Sequence, residues 1–204
     1  MSQNPNLDRQ AAHDRLKALG VVLEGGPKWE YLVHHHSEGK DDATHYDWPA
    51  IRKYHMSYRV NYEIKTKAEF EALKASGKPG KYEEPWPDIG YHFGIEQSNG
   101  YRFSVGRPAD KTGWHVAGLN DKALGLCWEG NWNKVAPPPA LWEFGIPIVL
   151  DLMRWFTIPV KANIGHREAY DLLGQKRLKT CPGTAWSMDA FRHELSQRLM
   201  DSVS

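Results

Sequence analysis

The segment 164–183 constrains this chain more than any other, reading I-G-H-R-E-A-Y-D-L-L-G-Q-K-R-L-K-T-C-P-G. A short β-type run delivers His166, a loop follows, and Lys179 stands two residues before Cys181, with Pro182 and Gly183 closing the segment. A neutral imidazole and a thiolate are both good zinc ligands, and Pro182 fixes the backbone beside the thiol so that it need not be ordered on binding. Two ligands do not make a site. The natural supplier of a third is Tyr31-Leu32-Val33-His34-His35-His36, a strand-like run that ends in imidazoles.

A length of 204 residues suits one sizeable domain and is too short for two comfortable ones. With 26 basic against 25 acidic residues, the chain has no electrostatic footprint for nucleic acid, and none is expected as a partner. Nine Trp, nine Tyr and six Phe are many for so polar a chain; such rings serve cores, interfaces and sugar-stacking grooves. Two cysteines, Cys127 and Cys181, describe no disulfide framework. The N-terminal residues carry no apolar signal-type run and no stretch reaches membrane-spanning length. Synthesis in the cytoplasm without a signal peptide, no membrane insertion and a monomeric state are the expectations.

The order of elements comes from periodicity and punctuation. Asn6 can cap a helix carrying Leu7, Ala12, Leu16 and Leu19, with Gly20 as its stop. The run 29–36 reads as a strand that brings His34 to its end; alternation puts His34 and His36 on one face and His35 on the other. A helix over 47–56 has Pro49 near its start, and His55 on it reads as a packed, hydrogen-bonded histidine. Residues 57–85 are polar and lysine-rich, an excursion in which Thr66-Lys67-Ala68-Glu69 opens a short helix with a capping box. Then come a buried strand over 88–95, a turn at Asn99-Gly100, a partner strand over 101–105 and a glycine-rich loop carrying Trp114 and His115. A strand at 123–128, a helix kinked near Pro147, a last strand over 160–165 and a final helix capped by Ser187 complete the chain. Strands and helices interleave, which gives an α/β class with a central mixed β-sheet flanked by helices in a single domain.

In order along residues 31–183 lie V-H-H, I-R-K-Y-H-M, W-P-D-I-G-Y-H-F, G-W-H-V-A-G-L-N, L-G-L-C-W-E-G-N, I-G-H-R-E and K-T-C-P-G. In this set the chain resembles the type-2 N-acetylmuramoyl-L-alanine amidases, the family of phage amidase-type endolysins and peptidoglycan-recognition proteins. The resemblance implies one amidase domain over 1–204, with an N-terminal helical arm over 1–28 and an insertion over 57–85. It implies that His34, His166 and Cys181 bind Zn2+, leaving a fourth place for water. Tyr91 matches the family's active-site tyrosine and Lys179 a lysine found two residues before the cysteine in active phage members, so both are expected to be catalytic. His115 and Trp114 are expected to touch substrate, and Glu129 is a lesser candidate for a base. The stretch between His166 and Cys181 is longer than is usual for the family, so 169–178 must bulge.

The implied reaction is zinc-dependent hydrolysis of the amide between N-acetylmuramic acid and L-alanine of peptidoglycan, by a phage or prophage endolysin acting on the cell wall. The alternatives are a cytoplasmic amidase that recycles muropeptides and a non-catalytic peptidoglycan-binding module. A structural zinc would need a fourth protein ligand, for which His35, His36 and His115 are available.

Overall fold

The computed structural model describes residues 5–38, 46–98 and 100–201, with the side chains of residues 5–7 excepted. The elements run α1 (Pro5–Ala18), β1 (Tyr31–His36), α2 (Trp48–His55), β2 (Tyr58–Val60), β3 (Glu63–Lys65), α3 (Lys67–Ala75), β4 (Tyr82–Glu83), β5 (Phe93–Glu96) and β6 (Arg102–Val105). They continue with β7 (Ala123–Trp128), α4 (Pro139–Phe156), a 3-10 turn (Val160–Ala162), β8 (Asn163–Gly165), α5 (His166–Leu172) and α6 (Met188–Asp201).

Five strands form the central sheet in the order β6-β5-β7-β1-β8. β5, β7, β1 and β8 are parallel neighbours, while β6 runs antiparallel to β5 and makes the sheet mixed. Both faces are covered, which parallel strands require because their connections lie on the faces. Leu32, Phe93, Ile95, Leu124, Leu126 and Trp128 join the large core shared with α1, α4 and α6. Val33 and Ile164 face the other way, against Val116, Leu119 and Ala169, and Cys127 packs there with Trp48, Ile51 and Ile89. Arg15 clamps α1 to α4 through two hydrogen bonds of 2.7 Å to the buried Asp151 carboxylate.

Where local signals are strong, residues and elements agree. Asp47 accepts from the Ala50 amide at the start of α2, Thr66 and Glu69 form the reciprocal capping box of α3, and Ser187 accepts from the Ala190 amide at α6. The 57–85 excursion is a small antiparallel sheet, β3-β2-β4, with α3 packed on it. Three expectations change. The strand expected over 88–95 begins only at Phe93, because Gly90 and Tyr91 give their carbonyls to Trp114 and Arg107 of the neighbouring loop. The last strand is shortened to Asn163–Gly165 by the 3-10 turn before it. The segment expected to bulge after His166 starts as helix α5 and leaves it only at Leu173, before Gly174 turns with a φ of 61°. Asn6 lies inside α1 rather than at its cap, and Asn99 of the expected turn lies outside the described residues. Among the described residues no helix is long and apolar enough to cross a membrane.

Candidate active site

The cleft opens at the carboxyl ends of β1 and β8, the edge of a parallel sheet at which α/β folds place their ligands. Parallel pairing sets His34 opposite Gly165, so that the residue after each, His35 on β1 and His166 opening α5, comes to the same place. The His35 and His166 ring centroids are 4.8 Å apart. Cys181 arrives from the loop before α6 and is tied in on two sides: its carbonyl accepts from the Arg167 amide at 2.8 Å and its sulfur from the His36 amide at 3.4 Å. The Arg167 guanidinium then bonds the carbonyls of Thr180, Gly183 and Trp186, fixing the curl of that loop. Gly183 sits in it with a φ of 123°, and a Cβ there would meet the Trp132 carbonyl oxygen at 2.3 Å.

The donor atoms of His35, His166 and Cys181 lie within 4.8 Å of one another, and all three residues are buried. This corrects the expectation for His34. Its ring points to the opposite face, where Nδ1 accepts from the Trp128 indole at 3.0 Å and Nε2 lies 3.2 Å from Asn163 Oδ1. Asn163 is fixed in turn by donating to the carbonyls of Pro159 and Val160. Both nitrogens of His34 are therefore spent in the core. The alternation was sound and the facing was reversed.

His115 decides which nitrogen of His35 is free. A carbonyl oxygen can only accept, so the 3.0 Å contact of His115 Nε2 with Ala123 O places the proton on Nε2 and leaves Nδ1 as acceptor. His115 Nδ1 lies 3.0 Å from His35 Nε2, which must then donate, and the His35 Nδ1 lone pair is turned toward Cys181 Sγ at 3.7 Å. This is the buttress expected of a metal-ligating histidine. With both ring nitrogens engaged, His115 is placed to hold His35, and it also lines the cavity, where the sequence leads one to expect a substrate contact. It lies against Gly113 and Gly125; a Cβ on Gly125 would come within 2.6 Å of the ring.

Electrostatics fit a cation at this point. Burial holds the pKa of His35 well below the usual imidazole range and that of His166 at about 4, with Lys179 contributing to the second, so both rings are neutral donors. Burial pushes the Cys181 thiol up to about 12, opposed by the His36 amide and by Lys179. A thiol so placed gives up its proton only to a strong local positive charge. A tetrahedral zinc site separates nitrogen and sulfur ligands by about 3.6 Å. The observed 3.7 Å fits that span, and two imidazoles with one thiolate are a zinc donor set.

A cavity of about 650 Å³ opens above the cluster. Tyr91 lines it with its ring 4.9 Å from that of His35, and burial raises its pKa well above 10, so it stays a phenol. Lys179, exposed, stands at the lip. Trp114 is 39 % exposed, lines the cavity and meets Trp86 edge to face at 5.7 Å. His55 is the packed histidine that was expected: Nδ1 accepts from the Gly90 amide at 3.1 Å and its ring stacks on Trp86. Glu129 is taken up elsewhere, accepting from the Ser98 amide at 2.9 Å, from the Gln97 amide and from the Ser98 hydroxyl. Arg59, Asn61, Tyr62, Lys81 and Glu83 of the 57–85 excursion also line the cavity.

The fold and the cluster together define an α/β protein built like the amidases, with a buried two-histidine, one-cysteine centre at the floor of an open cleft. The family of N-acetylmuramoyl-L-alanine amidases matches residues 25–184, most of the chain, and the chain belongs to that family. Peptidoglycan-recognition protein LB of Drosophila melanogaster is 29 % identical over 102 residues, covering 50 % of this chain and 40 % of that protein. The endolysin of Enterobacteria phage K11 is 32 % identical over 75 residues, covering 37 % of this chain and 48 % of the endolysin. The chain thus spans less than half the length of either relative. Among solved structures, N-acetylmuramoyl-L-alanine amidase LysC from Clostridium intestinale URNW shares the fold, with a TM-score of 0.52 at 23 % identity over 83 % of this chain and 87 % of that one.

Proposed function

We propose that this protein hydrolyses the amide between N-acetylmuramic acid and L-alanine in peptidoglycan, with Zn2+ held by His35, His166 and Cys181. The observation that carries the reading is the approach of His35 Nδ1 to Cys181 Sγ beside His166, at the floor of a cleft in a chain of this family. The donors number three among the described residues, the pattern of a catalytic site that keeps one position open. When bound there, zinc supplies a Lewis acid and lowers the pKa of a water toward neutrality.

The chain's own groups do the rest. Tyr91, kept protonated by burial, and Lys179 at the lip donate to the oxyanion that forms when the amide carbon becomes tetrahedral, a role worth about 3 kcal/mol per donor. Trp114 and Trp86 offer apolar faces to the glycan or peptide. Likeness to the phage endolysin supports a setting in cell-wall lysis.

The test is mass spectrometry of purified peptidoglycan digested with zinc-loaded protein, beside a chelator-treated control. Stem peptides released with a free L-alanine amine, and their loss on chelation, are the expected result. Intact wall material that retains the protein would mean a binding module instead.

A further inference from the structure

The three candidate ligands are not supported alike. His35 is buttressed through Nε2 by His115, and the Cys181 sulfur accepts from the His36 amide at 3.4 Å. His166 is 8 % exposed and lines the same cavity, and among the described residues no hydrogen bond reaches its ring. What meets it is two other rings. His35 stands edge to face with it, centroids 4.8 Å apart and planes at 66°, and Tyr170 stacks on it, centroids 5.4 Å apart and planes at 11°.

The stack follows from the helix. Residues four apart in an α-helix lie on one face, one above the other, with side chains leaning toward the N-terminus. His166 opens α5 and Tyr170 stands four residues on, so the two rings meet only while the helix continues past 170, as it does to Leu172. α5 is itself tied down. Glu168 accepts from the Gly165 amide at 2.8 Å and from the Arg192 guanidinium of α6 at 2.9 and 3.0 Å. Ala169 is fully buried in the cluster of Val116 and Leu119, and the Tyr170 carbonyl accepts from the Gln175 amide at 2.8 Å. The backbone that carries the Tyr170 ring is therefore fixed.

We propose that Tyr170 is a positioning residue for the metal centre, its ring face orienting the His166 imidazole and favouring the metal-bound form of it. The inference rests on the zinc amidase reading for the identity of the ion. A neutral imidazole gains little from the negative face of a phenol ring. An imidazole whose lone pair has gone to a dication is electropositive and is drawn to that face as a cation is. The stack thus contributes differently to the free and the loaded centre, which is what a change in affinity requires. The hydroxyl has no part in it.

The experiment titrates zinc against a chelating dye for wild type, Tyr170→Phe and Tyr170→Leu, with urea unfolding of the metal-free proteins alongside. The first variant keeps the ring; the second keeps bulk and helix propensity without it. Tyr170→Leu should bind zinc about tenfold more weakly, the low end of what losing a supporting side chain costs a metal centre. Tyr170→Phe should match wild type, and the metal-free unfolding midpoints of all three should coincide. Equal zinc affinity in the three proteins overturns the proposal. So does a Tyr170→Phe variant as weak as Tyr170→Leu, which would assign the effect to the hydroxyl, or a loss of affinity matched by a loss of metal-free stability, which would make Tyr170 a packing residue. Should Tyr170→Leu not fold, Tyr170→Met takes its place in the same comparison. Wild type that binds no zinc removes the zinc reading and this inference with it, whereas zinc-binding wild type indifferent to Tyr170 removes the inference alone.

Discussion

His115 Nδ1 accepts a hydrogen bond from His35 Nε2 across 3.0 Å, and through it the backbone of β7 fixes the tautomer of a residue on β1. Removing such a buttress commonly costs 10- to 100-fold, as an order of magnitude, in metal affinity or activity. His115→Ala should therefore weaken zinc binding by about that factor, read by competition with a chelating dye. Gly125→Ala, whose Cβ would press on the ring, should shift affinity in the same direction. A fall in melting temperature with unchanged zinc affinity would reduce His115 to a packing residue.

His34 and His35 are neighbours with opposite fates. His35→Ala should abolish stoichiometric zinc and activity together while leaving the core intact. His34→Ala should keep zinc near one per chain and cost about 2–3 kcal/mol of stability, because the Trp128 indole N–H loses its acceptor in a buried setting. Elemental analysis and urea unfolding on the two variants separate the assignments; zinc lost from the His34 variant and kept by the other would reverse them.

That pair also marks how far residues alone could lead. Capping signals at Asp47, Thr66 and Ser187, and the apolar run of β7, were readable because each is a local device with a local cause. That His166 and Cys181 stand together was readable from their setting. Which histidine of β1 joins them was not, because Leu32 and Val33 are both fully buried and a strand covered on both faces carries no polarity contrast. The facing is set by the register of β1 on β8, a long-range pairing. Arg167 and Asn163 escaped notice for a related reason: Arg167 and the Asn163 amide nitrogen bond backbone carbonyls, which leave no mark in a sequence, and Asn163 Oδ1 meets a histidine 129 positions away in the chain. The pairing that sets Glu83 across from Arg59 in the 57–85 excursion is likewise non-local.

Lys179→Ala and Tyr91→Phe each remove one donor from the cleft without touching the cluster's three ligating atoms. Each should lower kcat by about 100-fold with zinc content unchanged. Because Tyr91 is held as a phenol, its loss should not move the alkaline limb of the pH profile. A rate within a factor of about two of wild type for Lys179→Ala would make it a solvated loop lysine.

Acid should destabilise the fold through His92, which lies outside the cluster. Its Nδ1 accepts from the Gly125 amide at 2.9 Å and its Nε2 donates to the Lys111 carbonyl at 2.9 Å, so the folded ring has no place for a second proton. Burial depresses its pKa to about 4, with Arg107 adding to the effect and the Lys111 carbonyl opposing it; the neighbouring His115 ring is 5.7 Å away. Between the unfolded value of about 6.5 and the folded one, only the unfolded chain takes up the proton, so stability rises with pH there. The contribution is complete above about pH 6.5 and is lost as pH falls toward 4, up to about 3 kcal/mol. His55, held at about 3 by burial, acts in the same direction and extends the window downward. Urea unfolding of zinc-saturated wild type and His92→Gln between pH 7 and 4, as an order-of-magnitude window, should give a shallower slope for the variant, metal contributions cancelling in the comparison. Parallel curves would show that His92 does not set the acid limb.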